Sequence, residues 1–209
     1  MIANTPTGIQ STLYQLHEDS KSDHLKIIKG FAKSIHRSLR PVDLKEAYLS
    51  ISKEQGVELV QLIKDNNLKN IVEFGTSFGI STIYMAQGVI ETNGTIITTE
   101  LIESKAMKAI ENFKKAGIED KIEVRIGDAM ETLKNHKEPI DLLFLDGWKD
   151  LYLPLFQLLE PNFHSDTIVY VDNADMKDSQ AFLKTIAKNS NYQFKSKFEN
   201  KVVLITNKK

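Results

Sequence analysis

The stretch "LLFLDGWKDLYLPLF", residues 142–156, carries an apolar run to a carboxylate, Asp146, and then to Trp148, the chain's only tryptophan, and Lys149. A buried strand that stopped for structural reasons alone would need a turn there, not a carboxylate, an indole and an amine together. A second ending of this kind is "TIVYVDNAD", where an apolar run closes on Asp172 and Asn173. In "VEFGTSFGIST", residues 72–82, Gly75 and Gly79 permit a sharp turn and close approach of the backbone to a ligand, and the helix that follows would present free N–H groups. Glycines also make tight strand-to-helix turns with no ligand involved. Glu100 ends "TIITTE" and lies 21 residues after Gly79, about the separation at which an acid accepts hydrogen bonds from a ribose. Asp128, in "IGDAM", could accept from an adenine amino group. Together these endings point to a nucleoside cofactor.

The elements that must position them change character near residue 70. Before it, from "STLYQLHEDSKSDHLKIIKGFAKSI" through "SKEQGVELVQLIKDN", apolar residues recur at helical spacing, interrupted at "RSLRPVDL", where Pro41 marks a boundary. After it, the short runs "NIVEF", "TIITTE", "KIEVRIG", "IDLLFLD" and "TIVYVD" alternate with helix-like stretches such as "SKAMKAIENFKKAG" and "SQAFLKTIAKN". The last two runs, "YQFKSKF" and "KVVLITN", are separated only by "EN" and read as a hairpin. The pattern predicts an α/β fold: a doubly wound, mostly parallel seven-stranded sheet with an antiparallel C-terminal hairpin strand, helices on both faces, and a helical N-terminal section. Residues 1–65 are expected to form that section and a lid, within the same domain as a core over residues 66–209. In such a sheet ligands bind outside the carboxyl ends of the strands, where the endings above fall.

Bulk properties narrow the classes. A chain of 209 residues with 41% hydrophobic content fits one domain with a substantial core. A formal net charge of −1 gives no global attraction to nucleic acid or to an anionic membrane. The absence of cysteine excludes disulfides, thiolate metal sites and cysteine nucleophiles. No basic-then-apolar leader opens the chain and no apolar run approaches the roughly 20 residues that span a bilayer, so a cytoplasmic location is expected.

The glycine pattern separates the cofactor classes. Three residues lie between Gly75 and Gly79, and Ile80 follows, so the G-x-G-x-x-G of dinucleotide sites is not met. A glycine loop preceded by an acid, Glu73, with further acids at the two following strand ends, resembles the class I S-adenosylmethionine methyltransferases over about residues 70 to 206. "FLDGWKDLYLP" with "VDNAD" is similar to the catechol O-methyltransferase family in particular. That resemblance implies S-adenosylmethionine as cofactor, contacted by Ile51, Glu73, Gly75, Gly79, Ser81, Glu100, Asp128, Ala129, Asp146 and Trp148. It implies a magnesium ion, Mg2+, held by Asp146, Asp172 and Asn173, all hard oxygen donors and too few for a closed cage. It makes Lys149 the general base, a role open to lysine only in its neutral form, which desolvation and nearby positive charge favour. Lys149 could instead pair with Asp150 or Asp146 on a solvated helix start.

The expected partner is a small-molecule vicinal diol, with neither nucleic acid nor membrane. A methyltransferase of RNA or of a polar acceptor, and a non-catalytic cofactor-binding module, are the alternatives. Several positions depart from the family pattern: Gly147 stands where mammalian relatives have histidine, Lys177 where their acceptor wall has proline, and Glu199 is the nearest match to the acid that holds the second hydroxyl. The five histidines, His17, His24, His36, His136 and His164, are scattered and read as surface residues. Lys26, Lys29, Lys33, Arg37 and Arg40 form a basic stripe, read as a solvated face opposite Leu25, Ile28, Phe31 and Ile35.

Overall fold

The computed structural model describes residues 7–33 and 40–208. Seven strands form one sheet in the order β3-β2-β1-β4-β5-β7-β6: β1 (Asn70–Phe74), β2 (Thr95–Glu100), β3 (Ile122–Ile126), β4 (Ile140–Leu145), β5 (Phe163–Asp172), β6 (Tyr192–Lys197) and β7 (Val202–Asn207). The first five are parallel, and β7 runs antiparallel between β5 and β6. The expected fold is therefore observed. The closing hairpin turns through Phe198, Glu199 and Asn200, all with positive φ, a wider loop than the two residues expected.

The apolar runs are nearly continuous because both faces of the sheet are covered. Ile71, Leu142, Phe144, Ile168, Val202 and Leu204 face one way, toward α1 (Thr7–Ser20), α3 (Lys53–Asp65), α4 (Ile80–Thr92) and α5 (Glu103–Ala116). Val72, Leu143, Leu145, Val169, Val203 and Ile205 face the other, toward α6 (Ala129–Thr132), α7 (Tyr152–Leu159) and α8 (Lys177–Ile186). Strand order reverses between β1 and β4, so the loops that leave these two strands splay to opposite faces and open a crevice.

One N-terminal expectation is corrected in part: Lys29 and Arg40 of the basic stripe are exposed, but on α2 (Asp23–Lys33) Leu25, Ile28 and Phe31 are exposed too, at 55%, 63% and 55%. Lys26 faces inward, 3.4 Å from Asp23 and 4.5 Å from the centre of the Tyr48 ring. The helix is held on that side by Gly30, where a Cβ would meet the Asp43 carbonyl oxygen at 2.7 Å. Ile35, His36 and Arg37 lie outside the described residues. Three histidines are also less exposed than expected. His17 meets the Tyr84 hydroxyl at 3.0 Å, His164 pairs with Asp141 at 2.8 Å, and Nε2 of His136 is buried.

Candidate active site

The crevice is built where β1 and β4 end. Asp146 N donates to Phe74 O at 2.9 Å, which continues the ladder one residue past β4 and sets Asp146 against the glycine turn. Gly75 has φ +106°, and a Cβ there would lie 2.8 Å from the Asp146 backbone, so both conformation and space demand glycine. Gly147 is fixed by packing: a Cβ would meet the Phe74 ring at 2.4 Å, so Phe74 takes up the room that a side chain at 147 would need. Gly79 has φ +90° and lies against Phe113.

Glu73 lies beneath this turn. It has no exposed surface, and its carboxylate accepts from the Ser81 hydroxyl at 2.5 Å, Thr82 at 2.6 Å and Thr98 at 2.6 Å. Burial pushes its carboxyl up, with the three hydroxyls opposing. This places Glu73 and Ser81 in a buried network that fixes the start of α4. Ser81 also reaches the crevice wall, whereas Glu73 does not. Glu100 is likewise engaged at the turn, accepting from Ser77 N and Ile102 N, each at 2.8 Å. Asp128 caps α6 through Met130 N at 2.9 Å, remains exposed, and precedes buried Ala129.

Across the turn lies the segment before α3. Ser77 Oγ donates to Tyr48 O at 2.7 Å and Lys105 Nζ to Ala47 O at 2.8 Å, while the Tyr48 and Phe78 rings stack at 4.3 Å. Ile51 thereby reaches the wall shared with Gly75, Ser81 and Asp146. Trp148 is half-buried at the start of the 3-10 turn Lys149–Leu151.

The two acidic strand ends converge as expected. Asp146 and Asp172 lie within interaction range; burial and then the Asp172 carboxylate push Asp146 well up, and burial pushes Asp172 up. Lys149 Nζ sits 3.3 Å from Asp146 Oδ1, with both side chains largely covered. Asn173, with φ +49°, follows directly. Two residues that the sequence reading missed hold this pair. The buried Tyr152 hydroxyl lies 2.9 Å from Leu145 O and 3.3 Å from Asp172 O, tying the ends of β4 and β5 together. Gln55 Nε2 donates to Asp172 Oδ1 at 2.7 Å. Tyr152 follows Lys149 by one helical turn, but nothing in the sequence brings Gln55 to a residue 117 positions away.

The O-methyltransferase family model matches residues 20–197. The chain belongs to the O-methyltransferase family. It is 34% identical over 129 residues to a catechol O-methyltransferase of Niastella koreensis, covering 60% of this chain and 58% of the relative. It is 30% identical over 165 residues to catechol O-methyltransferase B of Danio rerio, covering 74% and 62%. The matches thus span about three fifths of those relatives' own length. In fold it is similar to an O-methyltransferase from Bacillus cereus in complex with S-adenosylhomocysteine, with TM-score 0.74, 23% identity, and coverage of 95% of this chain and 91% of that one. A Podospora anserina methyltransferase, also bound to S-adenosylhomocysteine, gives TM-score 0.75 at 19% identity, covering 98% and 89%.

Lys177 starts α8 and is exposed. The turn carrying Glu199 is joined to the segment after β5 through Ala174 N and Lys201 O at 2.8 Å, so it borders Asn173. Among the described residues no three acidic, histidine or cysteine side chains form a metal-holding group. No helix among them is long and apolar enough to cross a membrane.

Proposed function

We propose that this chain transfers a methyl group from S-adenosylmethionine to one hydroxyl of a catechol-like vicinal diol, in a magnesium-dependent reaction. The observation that carries the reading is the buried pair Asp146 and Asp172 with Lys149 Nζ at 3.3 Å. Two neighbouring buried carboxyls oppose each other's ionisation, so the pair fits a divalent cation. Asp146, Asp172 and Asn173 would hold magnesium, which supplies Lewis acidity toward the two adjacent diol oxygens.

The chain's own groups then divide the work. Methyl transfer forms an oxygen–carbon bond as the carbon–sulfur bond breaks, its electron pair staying on sulfur, and the hydroxyl proton must leave. Lys149 Nζ is the acceptor for that proton in this reading, placed beside the carboxylates by the 3-10 turn that follows β4. Gly75, Ser81 and Ile51 would form the wall for the methionine half of the cofactor, with Gly79 starting α4 behind it, and Glu100, Asp128, Ala129 and Trp148 would serve the nucleoside half. Glu73 serves from below by fixing Ser81. Within the N-terminal section the segment 48–51 acts as the lid, with Tyr48 and Ile51 over the glycine turn.

The substrate class is supported by relatives named catechol O-methyltransferase and by a caffeoyl-CoA O-methyltransferase of Medicago sativa, 32% identical over 126 residues. Incubation with S-adenosylmethionine, magnesium and a panel of catechol, a caffeoyl ester and a monophenol tests it by mass spectrometry. Singly methylated diols with an untouched monophenol support the reading. Equal methylation of the monophenol would remove the diol requirement.

A further inference from the structure

Gln55 has both ends of its side-chain amide in use. Oε1 accepts from Ser52 N at 2.8 Å while Gln55 N donates to Ser52 Oγ at 3.2 Å, a reciprocal capping box at the start of α3. The opposite end, Nε2, donates to Asp172 Oδ1 at 2.7 Å. One rigid planar group therefore fixes a helix start and a carboxylate relative to each other. The helix is itself pinned at the next residue: a Cβ on Gly56 would lie 2.4 Å from the Tyr84 ring, so α3 approaches α4 as closely as glycine allows. Ile51, just before the cap, lines the crevice. Asp172 is 4% exposed; Gln55 holds its Oδ1 from α3, while Asp146 and the Asn173 backbone act on the same carboxyl from the strand ends.

We propose that Gln55 is a positioning residue of the cation site: by holding Oδ1 it fixes the rotamer of Asp172 and couples the segment around Ile51 to the paired carboxylates. The inference rests on the metal reading above. Hydrogen-bond partners of metal-ligating carboxylates typically change metal affinity by about 10–100-fold when removed.

The test is Mn2+ affinity, read by electron paramagnetic resonance without acceptor, for wild type, Gln55→Met, Ser52→Ala and Asp146→Ala, each also checked by thermal unfolding. Gln55→Met and Ser52→Ala each break one of the two capping-box bonds, but only the first removes the donor to Asp172. The expected result is about tenfold weaker Mn2+ binding in Gln55→Met, with Ser52→Ala within about twofold of wild type. Wild-type affinity in Gln55→Met, or an equal loss in Ser52→Ala, overturns the proposal while the gap between wild type and Asp146→Ala leaves the metal reading standing. Mn2+ binding that is absent in wild type, or unchanged in Asp146→Ala, overturns the metal reading and this inference with it.

Discussion

Lys149 Nζ stands 3.3 Å from Asp146 Oδ1 at the end of β4, and both side chains are largely withdrawn from solvent. An amine on a solvated helix start would be exposed, so the cover over Lys149 favours a role at the site over a surface ion pair. Lys149→Met keeps the apolar stem and removes the proton acceptor. It should lower kcat by about 10²–10⁴-fold, the usual range for a lost general base, with little change in S-adenosylmethionine affinity. Steady-state kinetics with isothermal titration of the cofactor checks this, and a kcat within threefold of wild type would take Lys149 out of the chemistry.

Metal addition should stabilise the protein measurably. Burial and Asp172 push Asp146 up, so the cation-free site strains against its own charge. At a magnesium concentration of about 100 times Kd the gain is about 2.7 kcal/mol, or some 5–10 °C in Tm for a domain of this size. Asp146→Asn should melt higher than wild type in EDTA and show no rise with magnesium. Differential scanning calorimetry of both proteins in both buffers decides it.

Glu73 should matter more for stability than its hidden position suggests. Glu73→Ala strips the partner from Ser81, Thr82 and Thr98 and should cost about 3 kcal/mol, with cofactor affinity falling as the glycine turn loosens. The pH response has a definite sign. Because the folded pKa is raised, the folded state binds the Glu73 proton more tightly than the unfolded chain does. Stability from this group is therefore highest in acid, and the penalty grows as pH rises past about 4.5, the ordinary glutamate value. Denaturant melts of wild type and Glu73→Gln across pH should show the variant gaining on wild type as pH increases.

His17 predicts a loss on the acid side. Burial, followed by Lys53, lowers its pKa, and its ring meets the Tyr84 hydroxyl at 3.0 Å. The unfolded chain binds that proton more readily, so stability is full above about 6.5 and declines as pH falls through 6.5 toward the folded value. His17→Gln should flatten the Tm profile in this window, while an unaltered slope would place its origin elsewhere.

Much of the fold was legible because period and burial agree. Runs such as "LLFL" and "IVYV" are apolar at every position, which only a sheet covered on both faces requires, and the strand ends then put Asp146, Lys149, Asp172 and Asn173 on one rim. What escaped the sequence depends on contacts between distant residues. Gln55 looks like an ordinary capping residue until α3 is packed on α4, and Tyr152 looks like core until β4 and β5 lie side by side. The expected solvated stripe holds at Lys29 and Arg40 but not at Lys26: with Gly30 pressed against Asp43, Lys26 turns toward Tyr48 and the apolar side faces out as well. Glu73 was legible as important, yet its spacing from the glycines could not show that three hydroxyls already surround it.

The most direct test of the central claim is S-adenosylhomocysteine release from S-adenosylmethionine and catechol, measured for wild type and Asp172→Ala in magnesium and then in excess EDTA. Wild type should release it in magnesium, and both EDTA and the substitution should abolish the release. Release that continues unchanged in EDTA, or in Asp172→Ala, would contradict it.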